Sequence, residues 1–421
     1  MTAITPPPAR DHTSLAVAHF FVASFYLIAG AVGLIWVAPE LAIGAFSSPH
    51  VAGVTHLFTL GWLTTAILGA LTQLMPVALG APIRSPRAAH LVLWTLAPGA
   101  GLFAAGIAMS SLVVNHIGLA LVGTAVVLAV GNIAASLPRA REHDATWAAI
   151  ALAITFLAST LLLGMVLLHN LHTGFIAAAR LRVLATHLHI ALVGWALIMM
   201  VGVSRRLLPM FLLAHDANTR CTRCSLALLA AGLPVLATGL LAQARAAAWC
   251  GVALLEAGVF CFLRQAFAFY RVRVRKKLDV GMHFAMTGLW FLAASALLGP
   301  FVLADHAAHP RLATIYILVA LPGALVLFVT GFTYKIVPLL AWTMRYRKRM
   351  GKGAVPTVAQ TFSPRIGYGQ LVTTALAVVI LAAGIAIGSI AVTRGAALLY
   401  LTGTLLFASQ ISRVTFGNRS L

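Results

Sequence analysis

The sequence predicts an all-α polytopic membrane protein, with twelve transmembrane helices arranged as three parallel four-helix repeats in a pseudo-threefold ring. Three observations predict it. Of the 421 residues, 61% are hydrophobic and only 9% are charged, whereas soluble domains carry about 25% charged residues. Apolar runs long enough to cross a bilayer, about 20 residues each, recur along the whole chain. Two of these runs share a spaced motif, and a third keeps half of it.

The runs fall at 14–37, 51–79, 88–109, 112–136, 146–169, 183–213, 224–243, 246–270, 280–304, 313–341, 367–388 and 391–412. Lys and Arg sort sharply when the connecting loops are assigned to alternate sides. One side takes Arg10, Arg84, Arg139, Arg205, Arg206, the basic runs from Arg271 to Lys277 and from Arg345 to Lys352, Arg413 and Arg419, among others. The opposite side has only Arg180, Arg182, Arg245, Arg311 and Arg394. The positive-inside rule makes the first side cytoplasmic. Both termini are then expected inside, in a bacterial inner membrane. The formal net charge of +21 does not mark a nucleic-acid partner, because the basic residues sit in short loops between apolar runs. Their expected neighbours are the lipid bilayer and its anionic headgroups.

The first residues, with Pro6, Pro7 and Pro8, lack an apolar core and a cleavage site, so no removable signal peptide is expected. Four cysteines suggest no disulfide framework. Cys221-Thr222-Arg223-Cys224 reads as a C-x-x-C in a cytoplasmic loop, with Ser225 where covalent haem attachment would need histidine.

An internal repeat accounts for the twelve spans. The second reads His56-x5-Trp62-x6-Gly69-x6-Pro76, and the sixth reads His189-x5-Trp195-x6-Gly202-x6-Pro209, 133 positions later. The tenth keeps Gly331-x6-Pro338, a further 129 positions on. His19-Phe20 and His283-Phe284 also match between the first and ninth spans. The repeats cover approximately 14–136, 146–270 and 280–412 of one transmembrane domain, a parallel arrangement that membrane proteins use. Gln73, Arg206 and Lys335 share a position three residues before the proline, where snorkelling to the interface accounts for them.

The candidate chemistry lies in histidines. His50, His56, His116, His169, His172, His187, His189, His306 and His309 fall toward the outer side, and His19, His90, His215 and His283 toward the cytoplasm. A polar side chain in hydrocarbon is costly and points to function. His187 and His189 open a long apolar helix two residues apart, so they point roughly 200° from each other. One metal cannot take both from the same face. Each can serve a different neighbour, and His56 on the equivalent helix can face one of them across a pocket. Imidazoles from helices are the usual axial ligands of haem iron, so His56, His187 and His189 are candidate haem ligands. His116 and His172 are further metal-ligand candidates, although their places near helix ends also suit interfacial side chains. His50, His306 and His309 read as loop residues. His19 and His283, sharing a repeat position, read as packing residues. Arg180, Arg182 and Arg394, the last in the loop between the final two spans, are placed to pair with haem propionates.

The stretch His187-Leu188-His189-x4-Gly194-Trp195-x6-Gly202-x6-Pro209 resembles a helix of the haem–copper oxidase catalytic subunit, especially the C-type oxidases and nitric oxide reductases. The twelve-helix, three-arc plan is similar over nearly the whole chain, and the motif similarity over three helices. The resemblance implies that His187 and His189 bind haem and that His56 matches the family's low-spin haem histidine. It implies haem b, and copper as a second metal. It also implies an oxidoreductase acting on oxygen or nitric oxide, with a quinol or cytochrome electron donor and an additional membrane subunit as partners. The chain departs from the family in carrying its H-x-H pair on the sixth span rather than the tenth, where Tyr316 and Leu318 stand. It also has no histidine on the seventh span, where two copper ligands belong, and only Glu256 of its eight acidic residues lies well inside a span. These departures point to a remote relative. A non-catalytic haem or copper anchor, passing electrons from quinol to a partner, is the second reading. A transporter without haem is the third, favoured by parallel repeats but not by the scarcity of membrane carboxylates.

Overall fold

The computed structural model describes residues 13–214, 220–305, 309–350 and 354–416. Arg10, His215, His306, Lys352 and Arg419 lie outside the described residues. Among the described residues twelve helices are long and apolar enough to cross a membrane. They are α1 Thr13–Trp36, α2 Pro49–Ala78, α3 Pro86–Ala108, α4 Leu112–Arg139, α5 Ala145–Thr173 and α6 Ala177–Leu212. The second half comprises α7 Arg220–Leu241, α8 Arg245–Arg271, α9 Val280–Ala304, α10 Pro310–Tyr346, α11 Pro364–Ile387 and α12 Ile390–Phe416. No strand occurs among the described residues, only an isolated bridge between Ala214 and Arg273. The protein is a multi-pass helical membrane protein whose surface meets the lipid bilayer.

Three expectations about loops are corrected. Cys221 and Cys224 belong to the first turn of α7 rather than to a loop, and both are free. Nothing in Arg220-Cys221-Thr222-Arg223 breaks a helix, so α7 begins before its apolar stretch. Arg394 is likewise an exposed residue inside α12. His50 sits in the first turn of α2, which Ser48 caps by accepting from the Val51 N–H at 3.2 Å, and pairs with Glu40 at 2.7 Å.

Helices α2, α6 and α10 pack against one another through their middles. In each the middle is a π-helix: Leu57–Thr64, Ile190–Leu197 and Val319–Leu325. These segments begin at positions separated by the same 133 and 129 residues as the sequence motif. A π turn holds one extra residue, which rotates the faces on either side of it by roughly 100°. Each helix thereby shows one face to its neighbours above the π segment and another below it.

Glycine sets the approach of the flanking helices. A Cβ on Gly194 would sit 2.7 Å from the Phe156 ring of α5, and one on Gly323 would sit 3.1 Å from the Phe291 ring of α9. On Gly61 it would overlap the Tyr26 ring of α1. Each π segment therefore receives an aromatic ring from the first helix of its own four-helix stretch of chain. About two turns further on, Gly69, Gly202 and Gly331 take the close crossing of the same three helices. This is the physical role of the glycines in the repeated motif. Around these helices α4 packs on α5, α8 on α9, and α12 returns to α1.

Two aspartates tie the helix starts to the far ends of the central helices. Asp144 caps α5 by accepting from the Thr146 and Trp147 N–H groups at 2.9 and 3.1 Å, and also binds Arg205 and Arg206. Asp279 caps α9 through the Met282 N–H at 3.1 Å and pairs with Lys335 at 2.5 Å and Arg275 at 2.9 Å. Arg206 and Lys335 are thus ion-paired rather than snorkelled, because a capping carboxylate lies closer than the interface.

Burial alone would raise the Asp144 carboxyl, but the Trp147 N–H and the Arg206 and Arg205 guanidinium groups outweigh it and hold the carboxyl below the ordinary carboxylate range. A carboxyl with a lowered folded pKa stabilises fully above its unfolded pKa, and that contribution is lost as pH falls through the folded value. Thermal unfolding of the purified protein across acidic pH should therefore lose stability on the acid side, and Asp144→Asn should flatten that limb. An acid limb unchanged by the substitution would remove Asp144 from the account.

Candidate haem site between two central helices

The site grows from the helix turns just before the first two π segments. His56 is the last α-helical residue of α2 before its π segment, and His189 holds the equivalent place in α6. His56 Nδ1 lies 2.8 Å from the Ala52 carbonyl, one turn back, and His189 Nδ1 lies 2.8 Å from the Ala185 carbonyl. Such a bond fixes the ring and leaves Nε2 as the nitrogen available to a metal or another partner.

The two histidines of α6 diverge, as their spacing requires. His187 turns toward α2, where its ring centroid lies 6.5 Å from that of His56 with the planes tilted by 33°. His189 turns toward α10, where its Nε2 lies 3.3 Å from the Tyr316 hydroxyl and the rings stack at 6.0 Å. His187 Nδ1 is buried and completes no hydrogen bond among the described residues, although the Thr160 backbone of α5 lies close by. Gly164 leaves room for the His187 ring, whose Cε1 is 3.4 Å from where a Cβ would stand.

His56 and His187 both line a cavity of about 150 Å³ between α2 and α6. Its walls are aliphatic and aromatic, with Phe46 and Leu41 toward one end and Trp195 and Thr64 at the other. Phe103 packs edge-on against His56 at 5.2 Å. Trp195 Nε1 donates to Thr64 Oγ1 at 3.0 Å, joining the π segments of the two histidine-bearing helices. Sequence reasoning missed Thr64, because nothing in its neighbours signals a partner 131 positions away.

The remaining candidates separate into those near this site and those away from it. Arg180 Nη2 donates to the Ser47 carbonyl at 2.6 Å, so the start of α6 is fastened to the loop that leads into α2. Arg182 has a buried, unpartnered Nε two residues before Leu184 of the cavity wall. Arg394 makes no such contact. His116 and His172 come together elsewhere, stacked at 6.3 Å on α4 and α5, with His172 Nε2 3.2 Å from the Asn115 amide. His19 and His283 are packing residues in helix crossings, each with Nδ1 against a carbonyl one turn back. No group of three or more His, Cys, Asp or Glu side chains suited to a metal forms among the described residues.

The donor set can be tested against haem. A metal between two imidazoles needs bonds of about 2 Å on each side, and each ring adds about 1 Å, so centroids roughly 6 Å apart are expected. The His56–His187 separation meets that requirement, and the apolar walls suit a porphyrin face. Thr64→Val, close to isosteric, would leave the Trp195 indole N–H buried without an acceptor, at a cost of about 1–3 kcal/mol. A corresponding drop in thermal stability with retained helix content is the expected result, and an unchanged melting temperature would contradict the role given to this bond.

Compared with known protein families and with curated proteins, the sequence matches none.

Proposed function

We propose that the protein binds a b-type haem through His56 and His187 and serves in membrane electron transfer, as a remote relative of the haem–copper oxidase catalytic subunit. The observation that carries this reading is the pair of imidazoles 6.5 Å apart across an apolar cavity. An iron porphyrin held by both imidazoles would be suited to moving electrons rather than to binding a gas. Oxygen or nitric oxide reduction would need an open coordination position, so the site favours electron transfer from a quinol or cytochrome donor to a partner subunit. The haem would supply the reversible one-electron change. His56 and His187 would hold it, the aliphatic walls would exclude water, and the buried Arg182 Nε would donate to a propionate at the mouth.

Recurrence of the π segments and of their glycine crossings at the motif's own spacing supports three parallel repeats about one axis. The distribution of Lys and Arg supports cytoplasmic termini in a bacterial inner membrane. Copper finds less support: His189 is engaged with Tyr316, and no three-imidazole set forms among the described residues.

A visible spectrum of the purified protein tests the reading. A Soret band with a sharp reduced α-band is expected, and His56→Ala and His187→Ala should each remove the low-spin signature. His189→Ala should leave it in place. Folded protein without haem after expression with ample haem supply would sink the proposal.

A further inference from the structure

A second cavity, of about 220 Å³, lies among α2, α6 and α10 on the other side of the π segments. Its lining obeys the spacing of the repeat. Leu63, Ala196 and Leu325 line its inner end, and each belongs to one of the three π segments. Val77, Met210 and Leu339 line the other end, again one from each helix and again separated by 133 and 129 positions. These last three are 82%, 53% and 48% exposed, so this end is a mouth. From mouth to inner end is 14 residues of helix, about 21 Å. The cavity is therefore a slender shaft on the axis the three helices share.

The wall is apolar and adaptable, with Met199, Met200 and Met210 from α6 alone. Its polar chemistry lies near the mouth. Gln73 lines the shaft one turn inside Val77, and its buried Nε2 has no hydrogen-bond partner among the described residues. Lys335 stands at the equivalent position of α10, but its ammonium is already paired with Asp279 at 2.5 Å and lies 5.0 Å over the Phe211 ring. Among the described residues no other ionisable side chain lines the shaft. An anionic ligand would find no free positive charge, whereas a neutral oxygen acceptor would satisfy the Gln73 amide, whose burial without a partner is costly.

We propose that this shaft binds a neutral single-chain amphiphile, with its carbonyl oxygen accepting from Gln73 Nε2 and its apolar tail running inward to the π segments. From Gln73 to Leu63 is ten residues, about 15 Å, which sets a medium-length chain. Burying a carboxylate in the apolar shaft would be costly with the Lys335 ammonium already held by Asp279, so the site discriminates ketones and esters from fatty acids. This inference is independent of the haem reading, because the two cavities lie on opposite sides of the π segments.

The test uses the full-length protein in lipid nanodiscs and a methyl decyl ketone analogue carrying a diazirine at its tail end. After illumination, labelled peptides are located by mass spectrometry. Labelling should concentrate on α2, α6 and α10 near the π segments, and methyl decyl ketone should compete better than dodecane or laurate. Gln73→Leu should weaken competition by the ketone about tenfold while leaving that by dodecane unchanged. Ala70→Phe, which fills the shaft, should abolish the central labelling in protein with wild-type melting behaviour. Labelling spread over the lipid-facing helices, labelling insensitive to both substitutions, or strongest competition by laurate would overturn the proposal.

Discussion

Close approach of helix backbones at six glycines is the constraint on which the rest of this structure depends. In a bilayer no hydrophobic force drives helices together, so association relies on tight packing where small residues let backbones meet. Gly61, Gly194 and Gly323 each admit an aromatic ring from a crossing helix, and Gly69, Gly202 and Gly331 admit the same helix further along. With side chains at these places, α1, α5 and α9 would be held away from α2, α6 and α10. The central three would then lose the packing that holds their π segments together.

From that packing follow the two cavities. The π segments form a waist, and on either side of it the helices turn different faces inward. On one side the turned face of α2 carries His56 and that of α6 carries His187, set 6.5 Å apart. On the other side the inward faces are aliphatic, aromatic and thioether, with Gln73 and Lys335 near the mouth. The Trp195–Thr64 hydrogen bond crosses the waist and belongs to both. A single architectural device thus separates the imidazole-bearing cavity from the methionine-lined one. Asp144 and Asp279 are spent on helix caps and ion pairs, Asp279 beside the shaft mouth through Lys335.

Much of this was legible in the sequence, for physical reasons that can be named. Length and apolar content of the runs gave the spans to within a few residues, because the bilayer imposes both. The divergence of His187 and His189 follows from helical geometry alone, and its outcome is seen in their partners, His56 and Tyr316. The π segments were not legible, since a wider turn depends on packing from outside the helix and no residue type encodes it. Cys221 was read as a loop residue because α7 begins before its apolar stretch, and Arg394 because a charge close to a span's start resembles a loop marker. Arg206 and Lys335 were read as snorkelling because their capping aspartates lie on other helices, 62 and 56 positions away. The axial shaft escaped notice because its lining comes from three separate stretches, and no one stretch carries a signal for a space between helices.

The central claim is that His56 and His187 share one iron. An electron cryo-microscopy map of the haem-replete protein tests it most directly. The account predicts planar density between the two rings, joined to a ring nitrogen of each. Well-resolved imidazoles packed against aliphatic side chains, with no density between them, would contradict it.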